Sequence, residues 1–367
     1  MPHRRVSTHY CSTLCPCNPR GEVHVPSDTS STAGSPLQRL TRPAGIALIS
    51  ALLSGLSTGC DDGQTPRTPR MNLITGSTGS SWYRIGAAIA ERTNQGLDGH
   101  PISTLPGAGG VSNPARVGLV PGDFGMAFLP FMRAAHLGNP PYQRAFPDLR
   151  HVATLTQNTF HAIVALESPI TGLEDIRANG LAVRIGTGPP GSGEEFLLRE
   201  SLGAYGMSYD DIHDWGGRLD LMGSVERTDQ FRDHHIDLII FNINEPASIV
   251  TQLMLTRPTR FLSISDEARD KLERDWQVRV LEIPANTYPS QPEAVRTVGL
   301  VFGIFTTADV GEDIVYHLTR TIAENKDYLE TVHPGFRKWE PRDMVENAGV
   351  PTHAGALRYY AELGWID

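Results

Sequence analysis

Short apolar runs alternate along this chain with glycine-rich turns and with segments whose apolar residues recur every three or four positions. That is the pattern of strands alternating with helices. It is plainest at residues 74–91, ITGSTGSSWYRIGAAIAE. Leu73 and Ile74 end a strand, Gly76 and Gly79 make the turn, and Ile85, Ala88 and Ile89 mark one face of a helix. Such a turn presents free backbone N–H groups and the Ser80 and Ser81 hydroxyls at a helix N-terminus. A negative charge is favoured there by roughly 0.3–1 kcal/mol. Taken alone, the stretch is either a binding loop or an ordinary α/β turn.

The same grammar continues. Residues 105–117 (LPGAGGVSNPARV) carry three glycines into a helix start at Asn113 and Pro114, and 122–129 (GDFGMAFL) predict a strand with a helix over 131–137. Residues 152–155 and 161–166 read as two strands in a stretch that crosses between lobes, and 173–176 open the next unit. A strand at 181–185 then runs into GTGPPGSGEE (186–195), a second loop of the same kind, before a helix with Leu198, Leu202 and Tyr205 on one face. This loop lacks the Gly-Lys-[Ser/Thr] ending of a phosphate-binding P-loop, and Pro190 breaks the Gly-x-Ser-x-Gly pattern of a nucleophile elbow. The run IDLIIF (236–241) is a buried strand whose C-terminal end carries Asn242, Asn244 and Glu245, the position where ligands gather in open α/β sheets. IPANTYP (283–289) reads as a rigid crossing and 298–305 as a further strand. Ile314, Leu318 and Ile322 mark a helix, and 352–365 a terminal one.

At 367 residues the expectation is two lobes, since single cores stop growing near roughly 250–300 residues. The net charge of −9 leaves no basic stripe to neutralise phosphates, which argues against a nucleic-acid partner. Residues 1–60 hold all four cysteines and a basic excess, so the remainder is thiol-free, as suits an oxidising compartment. The apolar run 44–56, preceded by Arg39 and Arg42, has the length of a signal-peptide core and is short for a membrane span. It leads into LSTGC, which resembles a bacterial lipobox with Ser57 where Leu is usual. Cys60 would then carry the lipid, with Asp61 and Asp62 following; the alternative is simple cleavage and release to the periplasm. Residues 1–60 are thus an N-terminal extension and signal, and 61–71 a linker. Cys11, Cys15 and Cys17 are unevenly spaced beside one histidine, His24, a poor metal set; no metal and no cofactor are expected. His234 and His235, the one adjacent pair among thirteen histidines, read as surface residues. No Ser/His/Asp or paired-carboxylate set can be assembled, so no catalytic residue is assigned and the chain reads as a binder, not an enzyme.

Five segments together resemble one family, the TAXI-type solute receptors of TRAP (tripartite ATP-independent periplasmic) transporters. They are TGSTGSSWYRIGAAIAE, GAGGVSNPARVGLVPGDFG, GTGPPGSGEEFLLRESLGAYG with the following YDDI, IPANTYP and HAGALRYYAELGW. They span about residues 72–365 in the family's order. The resemblance implies an α/β, two-lobed periplasmic-binding-protein fold, and the two crossings put lobe I at 72–157 plus 285–367 and lobe II at 158–284. It also implies a ligand in the cleft and hinge closure that presents the ligand to a TRAP permease. Carried over by residue, it places Ser80, Ser81, Trp82, Tyr83 and Asn113 on the ligand from one lobe, and Gly191, Ser192 and Gly193 from the other. Amides and hydroxyls would hold a carboxylate while an aromatic ring covers the carbon skeleton. The solute expected is an amino-acid-like molecule or organic acid; a sensor using the same cleft with a signalling partner is the alternative. Two departures stand out. Ser80, Trp82 and Arg84 replace the family's second Gly, first Tyr and Pro, and Asn242, Asn244 and Glu245 replace small residues before Pro246. A carboxylate at Glu245 facing the cleft favours a ligand with a cationic or hydroxylated end; turned away, Glu245 would simply cap a helix.

Overall fold

The computed structural model describes residues 70–98, 102–347 and 349–366, all within the compact unit Gly63–Asp367. The signal, the lipobox and most of the linker read from the sequence lie outside the described residues. From β1 (Met71–Ile74) the chain runs through α1 (Ser81–Asn94), β2 (Ile102–Leu105), α2 (Asn113–Leu119), β3 (Phe124–Phe128) and α3 (Leu129–Leu137) to a long strand, β4 (Leu149–Ala165). There follow α4 (Leu173–Asn179), β5 (Arg184–Thr187), α5 (Gly193–Ala204), α6 (Tyr209–Asp214) and β6 (Arg218–Leu221). Next come α7 (Ser224–Arg232), β7 (Leu238–Ile243), α8 (Ser248–Thr256), β8 (Thr259–Phe261) and α9 (Asp266–Trp276). The last part is β9 (Arg279–Ile283), a second long strand β10 (Val295–Thr307), α10 (Glu312–Glu324), α11 (Lys326–Val332), two 3-10 turns and α12 (Ala354–Glu362).

One mixed sheet carries all ten strands, ordered β2-β1-β3-β10-β4-β7-β5-β6, with β8 on β4 and β9 on β10. Its two ends are parallel triplets, β2-β1-β3 and β7-β5-β6, and the antiparallel pair β10/β4 joins them. The joining strands serve both halves. Residues 302–305 of β10 pair with β3 whereas 295–299 pair with β9, and residues 159–164 of β4 pair with β7. Between these stretches the β4/β10 register slips, from Val301↔Gln157 to Gly303↔Thr154. A register slip bends and twists a ladder locally, which suits a joint between two halves.

The strands are apolar on both faces because helices cover them: every residue of β3 is buried, and so are all but one of β10. In α1 the buried residues Trp82, Ile85, Ala88, Ile89 and Thr93 recur at helical spacing, the face anticipated from the sequence. Two expectations need correction. The strands at 152–155 and 161–166 are one strand, since the polar run Thr156, Gln157, Asn158 and Thr159, which reads as a loop, continues the ladder across the joint. IPANTYP is not a crossing: Ile283 pairs with Val295, so the segment lies in the loop of the β9–β10 hairpin, and the chain crosses along β10 itself.

Candidate ligand-binding site

The two glycine-rich loops face each other across a cavity of about 420 Å³ at the C-terminal ends of the parallel strands. Each loop ends in a serine that caps the helix it feeds. Ser80 Oγ accepts from the Tyr83 backbone N–H at 3.2 Å, and Ser192 Oγ from that of Glu195 at 3.3 Å. The second of them is also touched by the loop between β2 and α2, where the Val111 N–H donates to Gly191 O at 3.3 Å. Gly191 has φ of +82°, and a Cβ there would collide with the Ser112 hydroxyl, so glycine is required twice over. Gly193 is hemmed in likewise, with Phe128 2.7 Å from where a Cβ would stand. The ends of α7 and α8 reach the same cavity with Gly223, Ser224, Ala247 and Ser248, and neither helix has a side-chain cap, so four helix N-termini converge.

Of the residues expected from the sequence, Ser80, Ser81, Trp82, Ser192 and Gly193 line this cavity. The others do not. Asn113 is buried, and its amide donates to Thr75 O and Met126 O, each at 2.8 Å, which staples β1 to β3. Gly191 makes the loop-to-loop contact, and Tyr83 is half-buried outside the lining. Glu245 faces a different cavity, behind the β4/β10 joint, where it hydrogen-bonds the Thr159 hydroxyl among Arg279, Asp343 and Glu346. Asn242 lines only the first cavity, and Asn244 lies at the boundary of the two. The reading of Glu245 as a carboxylate facing the ligand is therefore not carried by this geometry.

The cavity has an apolar wall and a polar one. Trp82 packs 4.9 Å from Phe128 and 4.6 Å from Phe302, centroid to centroid, and its indole N–H has no hydrogen-bond partner within the protein. The polar wall holds Asn242, which the sequence placed at the ligand end of its strand, and two residues that it did not single out, Asn158 and Arg227. Both amide atoms of Asn242 lack partners although the residue is buried, and so does Asn158 Oδ1, whose Nδ2 donates to Asn242 O at 2.9 Å. Arg227, in the first turn of α7, is 1% exposed. Its Nη1 donates to Met222 O at 2.9 Å, and its guanidinium lies 4.9 Å from the Phe241 ring centroid. Nε and Nη2 have no hydrogen bond, and Glu194 Oε1 stands 3.7 Å from Nη2. Burial pulls the guanidinium below its ordinary value and the Glu194 charge opposes this, yet an arginine stays protonated in any protein environment. His333, also on the cavity, accepts from the Gly335 N–H through Nδ1; burial, aided by the Arg84 charge, lowers its pKa to about 4, so it is neutral at pH 7.

A buried polar group without a partner costs about 1–3 kcal/mol, more when charged. Several such groups stand around this one cavity: Trp82, Asn158, Arg227, Asn242 and Asn244. Among the described residues, no three His, Cys, Asp or Glu side chains come together as a metal set, and no helix is long and apolar enough to cross a membrane.

Residues 73–364 match the model of the NMT1-like family. The chain belongs to the NMT1-like family. Solved structures share the fold of this NMT1-like chain at low identity. The MatC protein of Rhodopseudomonas palustris with bound malate superposes with a TM-score of 0.50 at 14% identity, over 81% of this chain and 97% of that one. A structure described as a periplasmic transporter gives 0.50 at 13% identity, over 82% and 95%. The two-lobed α/β architecture expected from the sequence is the fold of this NMT1-like protein.

Proposed function

We propose that this NMT1-like protein is an extracytoplasmic receptor that binds a small carboxylate-bearing solute between its two lobes and hands it to a TRAP-type permease. The observation that carries the proposal is the cavity between the loops, where buried polar atoms of Asn242, Asn158 and Trp82 lack protein partners beside the buried cation Arg227. These groups are satisfied when a solute with matching acceptors and donors fills the cavity and the lobes shut on it. A small organic acid fits that description, and MatC, which shares the fold, holds malate. The TRAP assignment rests on the five sequence segments that resemble TAXI receptors. The lobes part along β4 and β10, at 157/158 and, in place of 284/285, in β10 near the slip at Val301 and Gly303. Cys60 anchors the mature chain to the membrane surface by its lipid, and the chain works as a receptor without catalysis.

The test is native mass spectrometry of the protein purified without refolding, followed by a thermal-shift screen of amino acids, dicarboxylates and polyols. A retained small molecule, or a sharp hit that at a hundred times its Kd adds about 2.7 kcal/mol of stability, is the expected result. A screen that leaves the melting temperature unmoved, with no molecule retained, removes the receptor reading.

A further inference from the structure

We propose that Arg227 and Glu194 together clamp the head group of an α-amino acid, Arg227 taking the carboxylate and Glu194 the ammonium, and so select a zwitterion over a diacid. This rests on the receptor reading and adds the chemistry that the cleft prefers.

The geometry starts with which edge of Arg227 is free. Nη1 is committed to Met222 O and the flat of the guanidinium lies near Phe241, so rotation of the group is restrained. What remains is the side formed by Nε and Nη2, both without a hydrogen bond. That side is the fork that receives a planar carboxylate through two parallel bonds. Arg227 is 1% exposed and lines the cavity, so the fork is held away from bulk water at the cavity wall.

Glu194 decides what comes with the carboxylate. It lines the same cavity from the first turn of α5, with its Oε1 3.7 Å from Arg227 Nη2, too long for a hydrogen bond and close enough to feel each added charge. A ligand carboxylate on the Arg227 fork therefore arrives beside a second carboxylate, and repulsion opposes it. An ammonium next to that carboxylate removes the conflict, because each charge of the zwitterion then meets its opposite and the clamp stays neutral overall. A diacid brings two negative charges to a pair whose net charge is zero. Asn242 Oδ1, buried and without a partner, supplies one more acceptor in the same cavity. Arg84 is the remaining charged side chain on the lining; it is exposed, so it distinguishes ligands less than the buried pair does.

The experiment is titration calorimetry of the purified protein with the L-amino acids, with the 2-hydroxy acid of the same side chain for each that binds, and with succinate and malate. At least one amino acid binds, and replacing its ammonium by hydroxyl weakens binding about a hundredfold. Glu194→Gln brings amino acid and hydroxy acid within about threefold of each other, and Arg227→Lys weakens both at least about tenfold by losing the fork. Unliganded melting curves of both variants verify that they fold, and Glu194→Gln, at a partly exposed position, tests the clamp even where the arginine variant does not fold. Equal binding of amino acid, hydroxy acid and diacid, unchanged by Glu194→Gln, overturns the clamp and leaves the receptor reading standing. So does native mass spectrometry that finds a retained molecule without a carboxylate. If nothing binds and nothing is retained, both fall.

Discussion

The two glycine-rich loops are near copies in backbone chemistry and opposites in what surrounds them. Ser80 and Ser192 cap their helices in the same way, at 3.2 and 3.3 Å. Beside Ser80, however, the first half offers rings: Trp82 against Phe128 and Phe302, while the nearby Asn113 is spent on holding β1 to β3. Beside Ser192 the second half offers polarity that the protein itself leaves unpaired, in Arg227 and both amide atoms of Asn242. One half contributes shape and rigidity with a single unpaired indole N–H, the other most of the groups that a ligand must answer. The same motif thus serves two tasks, and the discriminating chemistry sits in the residues around it.

The largest test of this division is Trp82→Ala. Removing a buried ring that touches two others costs about 3–5 kcal/mol of folding stability, read from denaturant unfolding. If the variant lost ligand binding at nearly unchanged stability, the first half would be a recognition surface and the contrast would be wrong.

Acid titration comes next, because both halves and the cavity hold a buried neutral histidine. Burial lowers His151, His161 and His333 from 6.5 to about 4. In the unfolded chain these rings take up protons as pH falls below 6.5, whereas in the folded protein they do so only near 4. Stability is therefore complete above pH 6.5 and is lost as pH drops through that window, by about 1.4 kcal/mol per pH unit for each ring and roughly 3 kcal/mol each by its end. Unfolding midpoints at pH 7, 5.5 and 4.5 measure it. His161→Phe in the second half and His151→Phe in the first each flatten the slope by a comparable step; a step from one half alone would show that the buried rings do not behave alike.

A pair of asparagines separates scaffold from site more sharply. Asn113→Ala leaves Thr75 O and Met126 O without their donor and costs about 2–3 kcal/mol of stability. Asn242→Ala removes an amide whose side-chain atoms have no protein partner, so stability changes by no more than about 1 kcal/mol while affinity for the ligand falls. Thermal unfolding with and without ligand reads both quantities. Equal losses of stability in the two variants would erase the distinction.

The scaffold was the legible part. Glycines followed by a capping serine and a helical apolar stripe are local signals, and they located both loops, the starts of α1 and α5 and five lining residues, Ser80, Ser81, Trp82, Ser192 and Gly193. Asn242 and Asn244 were visible as polar residues at the end of a buried strand, but the weight fell on Glu245, which turns to the opposite cavity. Glu245 stands past the end of β7, in the bend before Pro246, where the alternation of a strand no longer says which way a side chain points. Arg227 gave no signal. It sits in SVERTDQFR, a polar helix sequence, and is buried by tertiary neighbours far away in the sequence, among them Gly186 of β5, Glu194 of α5 and Phe241 of β7. The polar run 156–159 differs from its sequence reading for a related reason: residues that would mark a loop on the surface are here mostly buried in a strand, with Asn158 on the ligand cavity and Thr156 and Gln157 on the other.

The smallest effects bear on what the loops share. Ser80→Ala and Ser192→Ala each delete one cap hydrogen bond to a backbone N–H, at Tyr83 and Glu195, and each costs about 1 kcal/mol of stability. Because the two bonds have nearly the same length and geometry, the two losses agree within about 0.5 kcal/mol. Each hydroxyl, while accepting from its own helix, keeps its proton to donate to a ligand, but a single neutral donor holds a carboxylate less strongly than the charged Arg227 fork. Affinity measured by calorimetry then falls little in either variant, in contrast to Arg227→Lys. A large loss of affinity in Ser192→Ala alone would mean that this hydroxyl bonds the ligand when the site is filled. The second loop would then be recognising the solute directly, and the two loops would differ in their own chemistry as well as in their surroundings.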